Sequence, residues 1–358
     1  MTNLTPLSAS RLKTAQTCSW IYWCKYKLHL PDKSNDGASR GSICHLVFEC
    51  LGNPRHESHY KKILKAGSIK GSKATWRMVL NYAKKLNVDD EENLSLIDDM
   101  TVNGLNYDFF GEDLGKPTEG ISEKEFNIEV NEGGKRYRIR GFIDKLFLYS
   151  KKKKALIRDF KSSKQVFKGK EVTDNLQNLM YTLAVQKLYP DYIKRESEFV
   201  FLKFDLTEDL FGKKGSGIVR MGDMEDDELE GFEYYLTEAQ SFIDNFSEED
   251  GLSNLAAKQR YPSDGTFGGP LACGKDGFKM SKGEPLLDER GEPIKAFICA
   301  YRKPFNYYVL LNEKGKVIKS VFEEDKLELT ADESLGETIE ERHYNGCPHW
   351  NRKDPFEL

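Results

Sequence analysis

"RIRGFIDKLFLYSKKKKALIRDFK", residues Arg138 to Lys161, decides how this chain is read. Two apolar runs flank a polar turn at Ser150 to Lys153, which predicts neighbouring antiparallel strands. With the turn centred on Lys151 and Lys152, antiparallel register lays Asp144 across from Asp159 or its immediate neighbour. Side chains alternate along a strand, so Asp159 and Lys161 share a face. Two carboxylates and an ammonium therefore converge. Upstream, "SEKEFNIEVNEGGK" places Gly133-Gly134 between two alternating runs. That hairpin signal completes a three-strand meander beginning near Ile121.

Working outward, Ser8 or Ser10 caps a helix expected to reach about Lys27, with Leu12, Ala15, Cys18, Ile21 and Tyr22 at helical spacing. Pro31 and "DKSNDGAS" read as its stop. "RGSICHLVFECLG" reads as a short helix burying Ile43, Leu46, Val47 and Cys50, while His45 and Glu49 share another edge. Residues from about Ser72 to Asp99 read as helical. Beyond the meander come a helix from Val172 to Leu188, a strand "SEFVFLKFDL", an amphipathic helix "DDELEGFEYYLTEAQSFIDNF" and a hairpin "FNYYVLLNEKGKVIKSVF". The expected domains are residues 1–250, with a helical insertion at about 60–118, and a C-terminal cysteine-containing module at 251–358 that packs on the N-terminal helix.

Across 358 residues, apolar residues at 39% and charged residues at 31% describe a globular chain, neither disordered nor fibrous. No apolar run is long enough for a bilayer, and the N-terminus lacks the apolar stretch of a signal peptide; the expectation is a cytoplasmic protein with no membrane partner. Seven cysteines without a secretory signal argue for reduced thiols. A net charge of −4 counts against a nucleic-acid partner, yet basic residues concentrate between Lys135 and Lys170.

Magnesium or manganese takes oxygen ligands from one or two carboxylates. Asp144 and Asp159 meet that need, and a lysine beside such an ion positions water or stabilises developing charge. Singly, each of these residues is as well explained as a strand-end charge or a helix-surface group.

Five blocks carry more: "LSASRLKTAQTCSWIYWCKY", "RGSICHLVFE", "RIRGFIDKLFLY", "LIRDFKSSK" and "NLQNLMYTLAV". In order and approximate spacing they resemble the RecB-like exonuclease branch of the PD-(D/E)XK nuclease superfamily, over roughly Leu7 to Leu188. The resemblance implies an α/β fold: a central mixed β-sheet flanked by helices, a restriction-endonuclease-like core. It implies that His45, Asp144, Asp159 and the Phe160 carbonyl hold Mg2+ or Mn2+. Asp144, Asp159, Lys161 and Glu123 would be catalytic, with Glu125 the alternative to Glu123. Gln177 and Tyr181 match the branch's Q-x-x-x-Y helix beside DNA, and Arg11 and Lys164 are further candidate DNA contacts.

Relatives of the AddB type and the CRISPR-associated adaptation nucleases hold an iron–sulfur cluster with one early and three late cysteines. Here Cys18, Cys273, Cys299 and Cys347 supply that count, although the late three are widely spread and Ser19 stands where proline is usual. A [4Fe-4S] cluster, a Zn2+ site that includes His349, and free thiols are the three readings. Cys24, Cys44 and Cys50 read as core.

The expected activity is a metal-dependent deoxyribonuclease, an exonuclease on DNA ends or single strands in repair, recombination or phage DNA metabolism, in a bacterial or phage-infected cell. A separate helicase or recombination protein would be its partner, because no G-x-x-x-x-G-K-[ST] motif is present. The rivals are a catalytically inactive DNA-binding or scaffolding protein, a restriction-type endonuclease and a metal-stabilised interaction module.

Overall fold

A computed structural model of the chain describes residues 4–32, 35–207, 215–253, 278, 280–281, 283–287, 293 and 299–348. The N-terminal helix is two helices, α1 (Ala9–Thr17) and α2 (Ser19–Tyr26). The Thr14 and Thr17 hydroxyls donate to the carbonyls of Ser10 and Lys13 one turn earlier, which weakens the helical ladder, and Cys18 turns extended at φ −162°. Next, α3 (Asp36–Gly52) starts earlier than expected, because Asn35 caps it by accepting the Ala38 N–H. The stretch read as a stop is a start.

The insertion holds α4 (Glu57–Ala66), α5 (Lys73–Lys85) and α6 (Glu91–Asn106). The stretch read as helical over Ser72–Asp99 holds two helices, separated at Asn87, left-handed at φ 54°, the second started by Asp90, whose carboxylate accepts the Asn93 N–H. Ile63, Val79, Ile97 and Met100 of these helices share one core with Ile43, Val47 and Phe48 of α3. Gly104 permits the approach: a Cβ there would lie 2.6 Å from Phe48 Cζ and 2.7 Å from Leu202 Cδ2.

The expected meander is present as β1 (Glu119–Glu132), β2 (Lys135–Tyr149) and β3 (Lys154–Lys161). Gly133 and Gly134 join the first two with φ of 58° and 80°, the pair of positive angles that a tight hairpin turn demands. One short turn (Lys170–Thr173, α7) and α8 (Leu176–Leu188) lead to β4 (Lys194–Phe201). The α8 start is reset from the expected Val172 because Asn175 accepts the Gln177 and Asn178 N–H groups. A fifth strand, β5 (Ile218–Met221), is too short to carry a periodic signal. The sheet order is β1-β2-β3-β4-β5, antiparallel except between β3 and β4. Helix α9 (Asp226–Asp244) packs on β2, with Tyr137 donating to Glu233 at 2.6 Å.

The chain divides into two compact units, residues 1–9 with 34–244, and residues 10–33 with 245–358. The boundary therefore departs from the expected 1–250 domain: α1 and α2 belong with the late residues. The second unit holds α10 (Glu248–Ser253), a short ladder of β6 (Met280–Ser281) with β7 (Glu284–Pro285), and a sheet of β8 (Phe305–Leu311), β9 (Val317–Phe322) and β10 (Thr338–Tyr344) in the order β10-β8-β9. The reason for its composition is packing: Trp20 of α2 donates to Tyr344 Oη at 2.8 Å, and Tyr344 donates to the Tyr301 carbonyl at 2.9 Å. Cys24 and Cys44 are buried as expected, whereas Cys50 is half-buried with its Sγ 3.3 Å from His56 Nδ1, because α3 ends beside a turn at Pro54–His56. No helix among the described residues is long and apolar enough to cross a membrane.

Beneath the sheet's working end lies a buried ion pair. Arg158 Nε donates to Glu198 Oε1 at 2.6 Å, both side chains 1% exposed, and its other nitrogens reach the Asp108 carbonyl and carboxylate. Removing one partner of such a pair strands a charge and costs about 3–5 kcal/mol. Glu198→Ala is expected to lower unfolding free energy by about that amount in urea, and Arg158→Met with Glu198→Leu to recover most of it.

Candidate active site

The β2–β3 ladder makes its last pair at Lys145↔Arg158. At the next position the Asp144 carboxylate replaces backbone, its Oδ2 accepting the Phe160 N–H at 2.7 Å. Asp144 is thus fixed beside Asp159, as the register requires. In β1 the pairing skips Glu123, which lies between the pairs Ser122↔Lys145 and Lys124↔Ile143 and adopts φ 48°. That region is unfavourable for a glutamate and is sustained only by its surroundings.

From α3, His45 completes the group. Its Nδ1 is 3.4 Å from Asp144 Oδ2 and 3.7 Å from Glu123 Oε1, and its Nε2 is 3.1 Å from the Phe160 carbonyl. Burial disfavours the imidazolium, but bonds to Asp144 and Glu123 outweigh it and raise the His45 pKa to about 10. Ligand atoms of His45, Glu123 and Asp144 lie within 4.8 Å of one another, a group able to hold a metal ion.

Asp159 is 3% exposed. Its Oδ1 accepts from Gln177 Nε2 at 2.7 Å, while Oδ2 lies 2.6 Å from Lys161 Nζ yet has no aligned hydrogen bond. Burial and the Asp144 carboxylate push its pKa up, against the pull of Lys161. Lys161 also donates to Gln177 Oε1 at 2.8 Å, and Gln177 Nε2 reaches Tyr181 Oη at 2.7 Å. Burial, first of all, holds the Tyr181 hydroxyl well above its usual range, so it stays neutral while it accepts from Gln177. Alternation on β3 sorts these neighbours: the Phe160 ring packs, tilted by 39°, against Phe48 of α3 with centroids 4.4 Å apart, whereas Asp159 and Lys161 meet Gln177 of α8.

The residues fit a divalent cation: carboxylate oxygens and one imidazole converge, and a buried carboxylate oxygen lacks a hydrogen bond. The close group is His45, Glu123 and Asp144, and Asp159 stands beside it with its Oδ2 without a hydrogen bond. Glu125 instead meets Arg140 at 3.0 Å with both groups half exposed, so of the two candidate acids only Glu123 joins the site. Lys164 is exposed on the loop after β3. Lys203, unremarked in the sequence, has its pKa lowered by burial first and then by the charges of Arg40 and Lys164. No spacing rule connects those three residues. Arg11 belongs to the second unit, where it stands over the Tyr26 ring at 4.5 Å.

In the second unit Cys18, Cys24, Cys299 and Cys347 share one apolar cluster, although they form no group of three within 4.8 Å among the described residues. Cys273 and His349 lie outside the described residues.

The family model of the PD-(D/E)XK nuclease superfamily matches residues 6–264. The chain belongs to this superfamily. The five-stranded mixed sheet is its restriction-endonuclease-like core, and PD-(D/E)XK nucleases use divalent metals, which the His45–Glu123–Asp144 group is suited to bind. No curated protein matches the chain. Because an ion that binds only the folded state stabilises it, Mn2+ is expected to raise the melting temperature of the native protein. Asp144→Ala is expected to abolish that rise in a thermal shift titration and Glu125→Ala to preserve it.

Proposed function

We propose that this PD-(D/E)XK protein is a Mg2+- or Mn2+-dependent deoxyribonuclease of the RecB-like type, acting as an exonuclease on DNA ends or single strands. The observation that carries this is the linkage of two acids, one lysine and one glutamine at the end of β3: Asp144, Asp159, Lys161 and Gln177. A divalent ion bound there would polarise the scissile phosphodiester and lower the pKa of water. His45, Glu123, Asp144 and Asp159 would hold it. Lys161, aimed by Gln177 and Asp159, orients the attacking water or meets charge developing on phosphate oxygens. Tyr181 fixes Gln177, and the exposed Lys164 offers backbone-binding charge.

A pure DNA-binding scaffold has no use for paired carboxylates buried against one another, since their repulsion costs stability. The decisive assay compares 5′-labelled linear DNA with covalently closed circles in Mg2+ and in Mn2+. Linear DNA is expected to shorten from its ends while circles persist. Asp159→Ala and Lys161→Ala are each expected to reduce the rate at least a hundredfold, on the scale of losing one transition-state donor. Unchanged cleavage in both variants sinks the assignment, and rapid nicking of circles sinks the exonuclease reading.

For the second unit we propose a [4Fe-4S] cluster on Cys18, Cys273, Cys299 and Cys347. Its support is that the three described thiols share one core. Cys24 lies in the same core; its thiol donates to Tyr344 Oη, and burial, first of all, pushes its pKa up to about 12, with Cys299, Cys347 and Cys18 adding to the rise. Protein purified without oxygen is expected to be brown and to lose iron in Cys347→Ser; a colourless, iron-free preparation removes the cluster, and stoichiometric zinc replaces it.

A further inference from the structure

Beside the metal-binding group runs a cleft of about 500 Å³, lined by Ser39, Ser42, His45, Glu49, Tyr82, Lys85 and Glu123 among others. Two of these, His45 and Glu123, belong to the metal-binding group, so the cleft opens directly onto it. Its far wall is the insertion helix α5, which contributes Tyr82 and Lys85. These stand three residues apart and therefore share one face of the helix. Tyr82 is 43% exposed and Lys85 is exposed, and neither has a partner among the described residues. A large aromatic ring left half in water beside a reactive centre lacks a packing explanation, because the buried core of this region takes Val79 and Ala83 from the same helix.

We infer that this cleft is a subsite for one unpaired nucleotide next to the scissile phosphate, its base stacked on Tyr82 and its phosphate paired with Lys85. The inference rests on the nuclease reading above and adds the substrate class. Volume supports it: about 500 Å³ lies in the range that encloses one small-molecule-sized group. Chemistry supports it as well. Stacking on an aromatic side chain accepts any base, and a single lysine contributes a sequence-independent, salt-sensitive contact. Glu49, on the same cleft, disfavours a second phosphate close to α3 and leaves room for sugar and base instead.

The test measures binding separately from cleavage. A fluorescein-labelled dT12 oligonucleotide is titrated by anisotropy in Ca2+, against a blunt duplex of equal length, using the native protein, Tyr82→Ala, Tyr82→Phe and Lys85→Ala. The native protein is expected to prefer the single strand. Tyr82→Ala should weaken that binding about tenfold and Tyr82→Phe should restore it, while Lys85→Ala lowers the slope of log affinity against log salt by about 0.7. Hydrolysis of bis(p-nitrophenyl) phosphate in Mn2+ by the native protein reports the chemical step separately from oligonucleotide binding. Equal affinity for dT12 in the native protein and Tyr82→Ala overturns the subsite, as does a native protein that binds the duplex better. If the native protein binds dT12 through Tyr82 yet hydrolyses neither diester nor DNA, the nuclease reading fails and the subsite stands.

Discussion

Asp144 holds the Phe160 N–H at 2.7 Å, in the place where a continuing β2–β3 ladder would put a backbone carbonyl. One hydrogen bond thereby ends the pairing, fixes the Asp144 side chain and draws its carboxylate against Asp159. It also leaves the Phe160 carbonyl turned toward His45. Bonds from a charged acceptor to a backbone N–H are stronger than neutral ones. The acid is consequently fixed by the main chain and needs no flexible partner to find its position. Glu123, facing Asp144 from β1, is left out of its own ladder at the same level, so three strands change character together.

Four consecutive residues of β3 face three different environments. Arg158 is locked to Glu198 and Asp108 and carries no chemistry; its task is to hold β3, β4 and the loop after α6 in one arrangement. Asp159 and Lys161 face α8, where Gln177 touches both. Phe160 turns the other way into the core of α3 and the insertion. A strand anchored on its apolar and ionic side keeps the reacting side in a fixed geometry, which is what positioning in catalysis requires. The neighbouring Lys145, 3% exposed and set 3.9 Å from the Phe109 ring, has its pKa lowered to about 7 by burial and by Arg158.

The sequence carried the sheet and the central site where alternation and turn chemistry are local. Gly133-Gly134, the lysine turn and the two-residue spacing of Asp159 and Lys161 were enough for register, because antiparallel pairing leaves one partner for each residue. Helix bounds failed where a side chain caps or breaks a helix: Thr14 and Thr17 at Cys18, Asn35 before α3, Asp90 before α6. Each is a polar residue whose competing bond to the backbone has the same appearance in a helix, a turn or a cap. The positive φ of Glu123 had no signature at all, since glutamate does not advertise that conformation. Nor did the company kept by Lys203, because Arg40 and Lys164 reach it only through the tertiary fold.

At the site itself, local stability gives way to chemistry. Glu123, Asp144 and Asp159 crowd three carboxylates against two cationic groups, His45 and Lys161, and burial raises the cost of that imbalance. An apolar replacement would pack more comfortably, yet none could collect a doubly charged ion. Such crowded charge suits a divalent cation, whose binding would relieve the repulsion among the carboxylates. That logic also explains why the buried Arg158–Glu198 pair lies directly beneath. Each charge there has its partner, and the supporting layer can stay rigid while the working layer stays incomplete until metal and substrate arrive.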